Sequence, residues 1–208
     1  MTRGLFITLE GPEGSGKSSQ ARWLAQTLRR RGRSVVTLRD PGSTRLGRQL
    51  RQALLHTRTP LSPLQEALLF IGGRVALVEE RIQPALRHGR IVICDRFHDS
   101  TVAYQSAGGL KFEWLDRLGR QAIGGIMPAL TLVLDVPTAD GFARLRRVHD
   151  RMERKGAAFH RRVRATYLRV ARREPRRCAV IDARQPAAAV RRRIAAVVEP
   201  RLKRFGAA

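Results

Sequence analysis

The sequence predicts an α/β protein in which helices flank a five-stranded parallel sheet, giving three layers. Five short apolar runs rich in β-branched residues alternate with longer segments of helical periodicity. Continuous apolar runs are typical of parallel strands covered on both faces, and each crossover requires a helix. A length of 208 residues suits one domain, 1–208. The predicted strands are 5–9, 34–38, 91–94, 130–134 and 178–181.

The residues after position 60 contain a signal for the start of a helix. Ser62 precedes Pro63, and Gln65 follows three residues after the serine, which is a capping box with proline at the first helical position. The glycine pair 72–73 and Pro84 fall within the same stretch. We therefore expect a bend, or a close approach to a neighbouring element, at these positions.

The composition is strongly basic, with 41 Lys and Arg against 17 Asp and Glu and a formal net charge of +24. Such a charge predicts attraction to nucleic acid. All but four of the 41 are arginines, which codon bias alone could produce. No aromatic ladder interleaves them, as a single-strand groove would require for base stacking. We expect only non-specific contact with nucleic acid.

Membrane insertion and secretion are not indicated. No apolar run reaches the length that a bilayer crossing requires, and the first residues lead into a strand without a secretory pattern. Cys94 and Cys178 lie within apolar runs and lack the spacing of a metal site. We expect buried thiols and a cytoplasmic location.

A glycine-rich loop follows the first predicted strand and opens a helix over 18–31. Strand, spacing and helix together are typical of a nucleotide phosphate loop. Its backbone N–H groups would surround the phosphates, Lys17 would reach the β- and γ-phosphates, and the Ser18 hydroxyl would bind Mg²⁺. The loop consists of Gly11, Pro12, Glu13, Gly14, Ser15, Gly16, Lys17 and Ser18.

Charged residues end two further strands at the same edge of the sheet. Asp95 and Arg96 follow the third strand. Asp95 could complete the metal site, and Arg96 could hold a second phosphate, which transfer between two nucleotides requires. Arg39 ends the second strand and could grip the same phosphate. Asp135 is the rival carboxylate, but no arginine follows it, so Asp95 is preferred.

Phe70 and Arg74 lie four residues apart in the helix that begins after Ser62. Their side chains would point the same way and could stack on and hydrogen-bond to a base. A core phenylalanine and a solvated arginine have the same spacing. Spacing alone leaves both interpretations open.

In this order and at this spacing the motifs resemble bacterial thymidylate kinases, a family of nucleoside monophosphate kinases with a phosphate loop. The resemblance implies transfer of a phosphoryl group from Mg·ATP to dTMP, giving dTDP for DNA precursor supply. It also implies a five-stranded fold with a small helical lid at about 142–156, and a homodimer. The matching segments include Leu9-Glu10, Arg39-Asp40-Pro41-Gly42, Glu66 to Phe70, Asp95-Arg96, Ala103-Tyr104-Gln105 and Asp150-Arg151-Met152-Glu153.

The same resemblance implies how the base is held. Phe70 would stack on thymine, and Arg74 would hydrogen-bond to it. Gln105 and Ser100 would line the thymine pocket.

It also implies roles around the sugar and the acceptor phosphate. Arg39 and Arg96 would hold the phosphate of dTMP. Tyr104 would disfavour a ribose 2′-hydroxyl, and Glu13 would face the deoxyribose 3′-hydroxyl.

The lid should supply a positive charge that the phosphate loop lacks. Relatives that carry an arginine inside the loop differ from those with glycine there, and this chain has Gly14. We expect Arg144, Arg147 or Arg151 to close over ATP, and we favour Arg151 as catalytic beside Lys17. The alternatives are a kinase for another nucleoside monophosphate and a nucleic-acid-associated NTP-binding protein.

Overall fold

The computed structural model describes residues 4–57, 59–145 and 150–204. Its sheet has five parallel strands in the order β2-β3-β1-β4-β5, which confirms the predicted fold class and all five strand positions. The strands are β1 Leu5–Glu10, β2 Val35–Arg39, β3 Ile91–Asp95, β4 Leu130–Asp135 and β5 Cys178–Asp182.

Helices connect these strands and cover both faces of the sheet. They are α1 Lys17–Arg30, α2 Arg45–His56, α3 Pro63–Leu77, α4 Gln83–Arg87, α5 His98–Ala107, α6 Phe112–Ala122, α7 Thr138–Ala143, α8 Ala157–Arg173 and α9 Ala187–Arg204. None of the helices in the described residues is both long and apolar enough to cross a membrane.

The helix predicted after Ser62 begins as expected. The Ser62 hydroxyl accepts from Gln65 N at 3.2 Å, and the Gln65 side chain accepts from Ser62 N at 2.8 Å. α3 passes through the glycine pair without ending, and Gly73 lies against Leu50 of α2. The interruption comes at a π-helical turn, Val78–Ile82, just before Pro84. Of the two expected effects, the close approach to a neighbouring element occurs at the glycine pair, and the interruption of the helix occurs just before Pro84.

Side chains alternate between two cores, one on each face of the sheet. Ile7 and Leu9 of β1 pack with α1 and α9, whereas Phe6 packs on the opposite face with the end of α3 and with α4. The second face continues under α5 and α8. Cys94 and Cys178 are buried free thiols, as predicted.

Strand register gathers the charged strand ends at one edge of the sheet. Leu9 pairs with Asp95, and Asp95 pairs with Arg39 on its other side. The phosphate loop follows β1 directly, so it lies beside the carboxyl ends of the neighbouring strands β3 and β4, with the end of β2 next beyond β3. This edge is where ligands of open parallel sheets bind.

Candidate active site

The glycine-rich loop has the backbone conformations that its glycines permit. Gly11, Gly14 and Gly16 have φ of 137°, 69° and 86°. Gly16 directly precedes α1, so the helix N-terminus and its free N–H groups face into the loop. This arrangement is suited to bind the phosphates of a nucleotide.

Lys17 lies folded over this loop. Its Nζ donates to the carbonyl of Pro12 at 2.7 Å and to Ser15 Oγ at 3.3 Å. Burial, together with the nearby Arg96 guanidinium, lowers the pKa of Lys17 to about 8. A bound polyphosphate would favour the charged form.

Gly14 packs directly against the backbone of α7. A Cβ at Gly14 would overlap the carbonyl oxygen of Gly141, and a Cβ at Gly141 would overlap the carbonyl of Glu13. The glycine that the sequence marked as a missing charge is therefore also a contact between the loop and the helix before the lid segment.

Ser18 and Asp95 meet where a metal would be needed. The Ser18 hydroxyl donates to Asp95 Oδ2 at 2.5 Å. Within the described residues no cluster of three or more His, Cys, Asp or Glu could hold a metal unaided. Mg²⁺ is commonly bound by one carboxylate, a hydroxyl, water and substrate phosphates, so this oxygen pair fits it. The rival Asp135 is instead paired with Arg164 at 2.7 Å.

Arg96 stands at the centre of the second half of the site. It is the only residue other than glycine with a positive φ in the described part of the chain, at 67°. Such a conformation is uncommon for a side chain of this size. Its Nη2 lies 2.5 Å from Glu13 Oε1, and its Nη1 lies 3.2 Å from Ser100 Oγ and 3.1 Å from Tyr167 Oη. The guanidinium is therefore fixed beside the phosphate loop.

Glu13 and Tyr104 complete this group. The Tyr104 hydroxyl donates to Glu13 Oε1 at 2.5 Å, and the tyrosine ring lies under the Arg96 guanidinium at 5.2 Å. Burial alone would raise the pKa of Glu13, but Arg96, Lys17 and Tyr104 hold it at about 2. Glu13 is ionised at neutral pH.

One cavity is lined by all eight residues that the sequence assigned to the acceptor. Phe70 and Arg74, whose spacing alone left two interpretations open, both line it from α3, and Arg96 lines it from the end of β3. Arg74 is buried, and its Nε and Nη2 donate to Asp40 at 2.5 Å and to Thr101 at 2.8 Å. Its Nη1 has no partner within the described residues. The other predicted residues on the wall are Glu13, Arg39, Ser100, Tyr104 and Gln105.

Arg51 of α2, which was not among the predicted site residues, lines the same cavity. Arg39 is exposed, with Nε 4.0 Å from Asp95 Oδ2. Burial and the Arg39 guanidinium lower the pKa of Arg51, so these cations repel one another in the absence of an anion. Arg51 lies four residues before Leu55, another wall residue, but no motif marks it.

The two predicted lid arginines that the structure describes, Arg144 and Arg151, bind groups outside the phosphate loop. Arg151 donates to Glu66 Oε1 at 2.7 Å and to the carbonyl of Leu54 at 2.9 Å, and it is absent from the cavity wall. Arg144 donates to the carbonyl of Ala183 at 2.7 Å. Arg147 lies outside the described residues. The catalytic role of Arg151 remains a prediction, and it would require the guanidinium to leave Glu66.

The arrangement can hold two phosphorylated ligands end to end. The loop and Lys17 can take a polyphosphate, and the cavity beside it offers guanidinium groups for a second phosphate and a flat ring for a base. Arg96 lies between the two, in contact with the loop carboxylate and the carbonyl of Gly11. This geometry suits phosphoryl transfer between nucleotides.

Comparisons with known proteins agree with this chemistry. The thymidylate kinase family matches residues 9–194. A thymidylate kinase of Thermomicrobium roseum is 47% identical over 203 residues, covering 96% of each chain, and one of Caulobacter vibrioides is 45% identical over 206 residues, covering 97% of this chain and 99% of its own. The crystal structure of thymidylate kinase from Ehrlichia chaffeensis is similar at a TM-score of 0.77, with 34% identity over 94% of this chain and 98% of its own. The chain therefore belongs to the thymidylate kinase family, ATP-dependent phosphotransferases that convert dTMP to dTDP.

Proposed function

We propose that this chain transfers the γ-phosphoryl group of ATP to the phosphate of dTMP by in-line displacement, without a protein nucleophile. The single observation that carries the proposal is the cavity shared by Phe70, Arg74 and Arg96 directly beside the phosphate loop. In such a reaction catalysis is positioning and charge neutralisation.

The loop binds the donor. The backbone N–H groups of Glu13 to Ser18 surround the phosphates. Lys17 leaves the Pro12 carbonyl and binds the β- and γ-phosphates instead. Ser18 and Asp95 would hold Mg²⁺. When bound, the metal supplies charge neutralisation on the phosphate oxygens.

Arginines hold the acceptor phosphate. Arg96 is preset by Glu13, Ser100 and Tyr167, so little conformational entropy is lost when it binds an anion. Arg39 and Arg51, which line the same cavity, add positive charge.

The sugar and base would contact the rest of the cavity. Tyr104 and Glu13, bonded to each other, would sit against the deoxyribose, Tyr104 excluding a 2′-hydroxyl and Glu13 facing the 3′-hydroxyl. Phe70 would stack on thymine, with Ser100 on the same side of the pocket. Two polar atoms without partners among the described residues support the base assignment, because they match the acceptor O4 and the donor N3–H of thymine. They are Arg74 Nη1 and Gln105 Oε1.

Lid closure would complete the site. We assign the lid to about 142–156 of a single domain, 1–208, in which Arg151, with Arg144 or Arg147, would turn toward the transferred group. Asp150, Met152 and Glu153 of this segment already line the acceptor cavity. Closure would exclude water, because otherwise ATP would be hydrolysed.

The test is ADP release with and without dTMP. Purified protein with Mg·ATP should release ADP at least about 100-fold faster with dTMP than without, and dTDP should form in equal amount. A screen of dUMP, dCMP, dGMP and AMP under the same conditions serves as the control for acceptor identity. Equal release in both conditions would favour a plain ATPase, and faster release with another acceptor would replace dTMP.

We also propose a homodimer that acts in the cytoplasm, as the family resemblance implies. α3 exposes Leu64 and Leu68, four residues apart, with 43% and 51% of their surface accessible. A dimer would cover these side chains. Sedimentation equilibrium of the wild type and of Leu68→Arg should give dimer and monomer masses, and a monomeric wild type would contradict the proposal.

A further inference from the structure

Glu66 is a buried carboxylate that the mechanism above does not use. It lies on α3, four residues before Phe70, and only 1% of it is exposed. Three side chains donate to it: Gln105 Nε2 at 3.0 Å, Arg151 Nη1 at 2.7 Å and Lys155 Nζ at 2.9 Å. These donors offset the cost of burying a charged carboxylate and hold it in one position.

The two cations keep Glu66 ionised. Burial alone would raise the pKa of Glu66, but the hydrogen bonds from Lys155, Gln105 and Arg151 outweigh it and hold the pKa below its usual value. An ionised carboxylate only accepts hydrogen bonds. Gln105 must therefore turn its NH₂ group toward Glu66.

This contact fixes which end of the Gln105 amide remains for a ligand. With Nε2 bound to Glu66, Oε1 is left without a partner among the described residues, and Gln105 lines the acceptor cavity. A side-chain amide is nearly symmetric in shape, so without the carboxylate either end could face the base. Glu66 removes that choice.

The choice matters because thymine and cytosine have opposite patterns on this edge. Thymine offers N3–H as a donor and O4 as an acceptor, whereas cytosine offers N3 as an acceptor and N4–H₂ as a donor. An acceptor at Gln105 with the Arg74 donor matches thymine, while a flipped amide would match N3 of cytosine.

We propose that Glu66 is a positioning residue for base selection, whose carboxylate orients the Gln105 amide so that its acceptor oxygen faces the base. The same carboxylate joins the base pocket to Arg151 and Lys155 of the lid segment. The proposal rests on the proposed function, since it takes the base to lie beside Gln105.

The test compares Glu66→Gln with the exchange variant Glu66→Gln/Gln105→Glu. For each variant, the KM for dTMP and the inhibition constant of dCMP against dTMP are measured. The base selectivity is the inhibition constant of dCMP divided by the KM for dTMP. Glu66→Gln should lower the ratio about 10- to 100-fold, chiefly through KM, because one oriented hydrogen-bonding group is lost. The exchange variant should restore it, since a carboxylate at position 105 presents only acceptor oxygens to the base.

Glu113→Gln is the matched control, because Glu113 is an exposed carboxylate that also accepts from two cations, Arg169 and Arg173. Its ratio should equal that of the wild type. An unchanged ratio in Glu66→Gln, or a lowered ratio that the exchange does not restore, would overturn the proposal.

If Glu66→Gln is insoluble, Glu66→Asp replaces it, because aspartate keeps the charge that pairs with Arg151 and Lys155 but is one methylene too short to hold Gln105 Nε2 in the same place. Its ratio should fall at least about threefold, and an unchanged ratio would overturn the proposal. Failure of the wild type to phosphorylate dTMP would instead reject the proposed function.

Discussion

Arg96 Nη2 lies 2.5 Å from Glu13 Oε1, so the central cation of the acceptor cavity is held by a carboxylate of the phosphate loop. Both side chains are largely buried, with 17% and 15% exposed. A buried ion pair of this kind fixes geometry more than it adds stability. This ion pair joins the phosphate loop to the neighbouring cavity, together with the contacts of Arg96 with the Gly11 carbonyl and of Tyr104 with Glu13.

Arg96→Lys should impair use of the acceptor far more than binding of the donor. Lysine retains the charge but loses the planar group that reaches Glu13, Ser100 and Tyr167 together. We expect kcat/KM for dTMP to fall on the order of 100-fold and the Kd of ATP to change less than about threefold. Steady-state kinetics and calorimetry measure the two quantities, and Arg31→Lys, an exposed arginine paired with Glu199, is the control. A similar loss in both quantities would argue against an acceptor role.

Gly141→Ala should distort the phosphate loop, although Gly141 itself lies in α7. The added methyl group would overlap the carbonyl oxygen of Glu13, so loop or α7 must move. We expect ATP affinity to fall at least about tenfold, which fluorescence titration with a nucleotide analogue measures.

Gly72→Ala is the matched control for this change. Gly72 lies within α3, and a Cβ there meets nothing within 4 Å. Alanine should leave ATP affinity unchanged and add about 0.5–1 kcal/mol of stability. Equal ATP affinity in the two variants would contradict the proposed contact.

Glu10→Gln should change how stability depends on pH. Glu10 is fully buried, accepts from Phe97 N and Ser100 Oγ, and faces Asp99, Arg96 and Tyr167. Burial and Asp99 raise the pKa of Glu10 to about 7. Because the folded state holds this proton more tightly than the unfolded state, its contribution to stability is lost as pH rises from about 5 to about 7.

The glutamine side chain of the Glu10→Gln variant does not titrate between about pH 5 and 7. Its free energy of unfolding relative to the wild type should therefore rise across this range, by at most about 1.4 kcal/mol per pH unit. Urea unfolding at several pH values measures the difference. Glu113→Gln should run parallel to the wild type over the same range, and parallel curves for Glu10→Gln would contradict the raised pKa.

Asp95→Asn should raise the requirement for Mg²⁺. Asp95 accepts from the Ser18 hydroxyl, and an amide would offer the metal a weaker oxygen. We expect the Mg²⁺ concentration for half-maximal activity to rise about 10- to 100-fold. Asp135→Asn, at the rival strand end paired with Arg164, should leave it unchanged. The reverse order of effects would move the metal site to Asp135.

Much of the fold and part of the site could be predicted from the sequence. Local periodicity and spacing, which the sequence displays directly, determine three of these features. They are the five strands, the capping box at Ser62 and the shared face of Phe70 and Arg74. The partners of Arg151 could not be predicted, because Glu66 lies 85 residues away and nothing local connects them. Arg51 could not be predicted either, because one arginine on an amphipathic helix has no distinguishing pattern.

The sequence by itself determined the positions of the five strands along the chain, the phosphate loop and the family resemblance, because spacing and residue type suffice for these. Only the tertiary structure decided that Arg96 is held by Glu13, that Gly14 rests on Gly141, and that Glu66 binds both Gln105 and Arg151. Contacts between residues far apart in the chain depend on strand order and helix packing. Those are properties of the whole fold and not of any one segment.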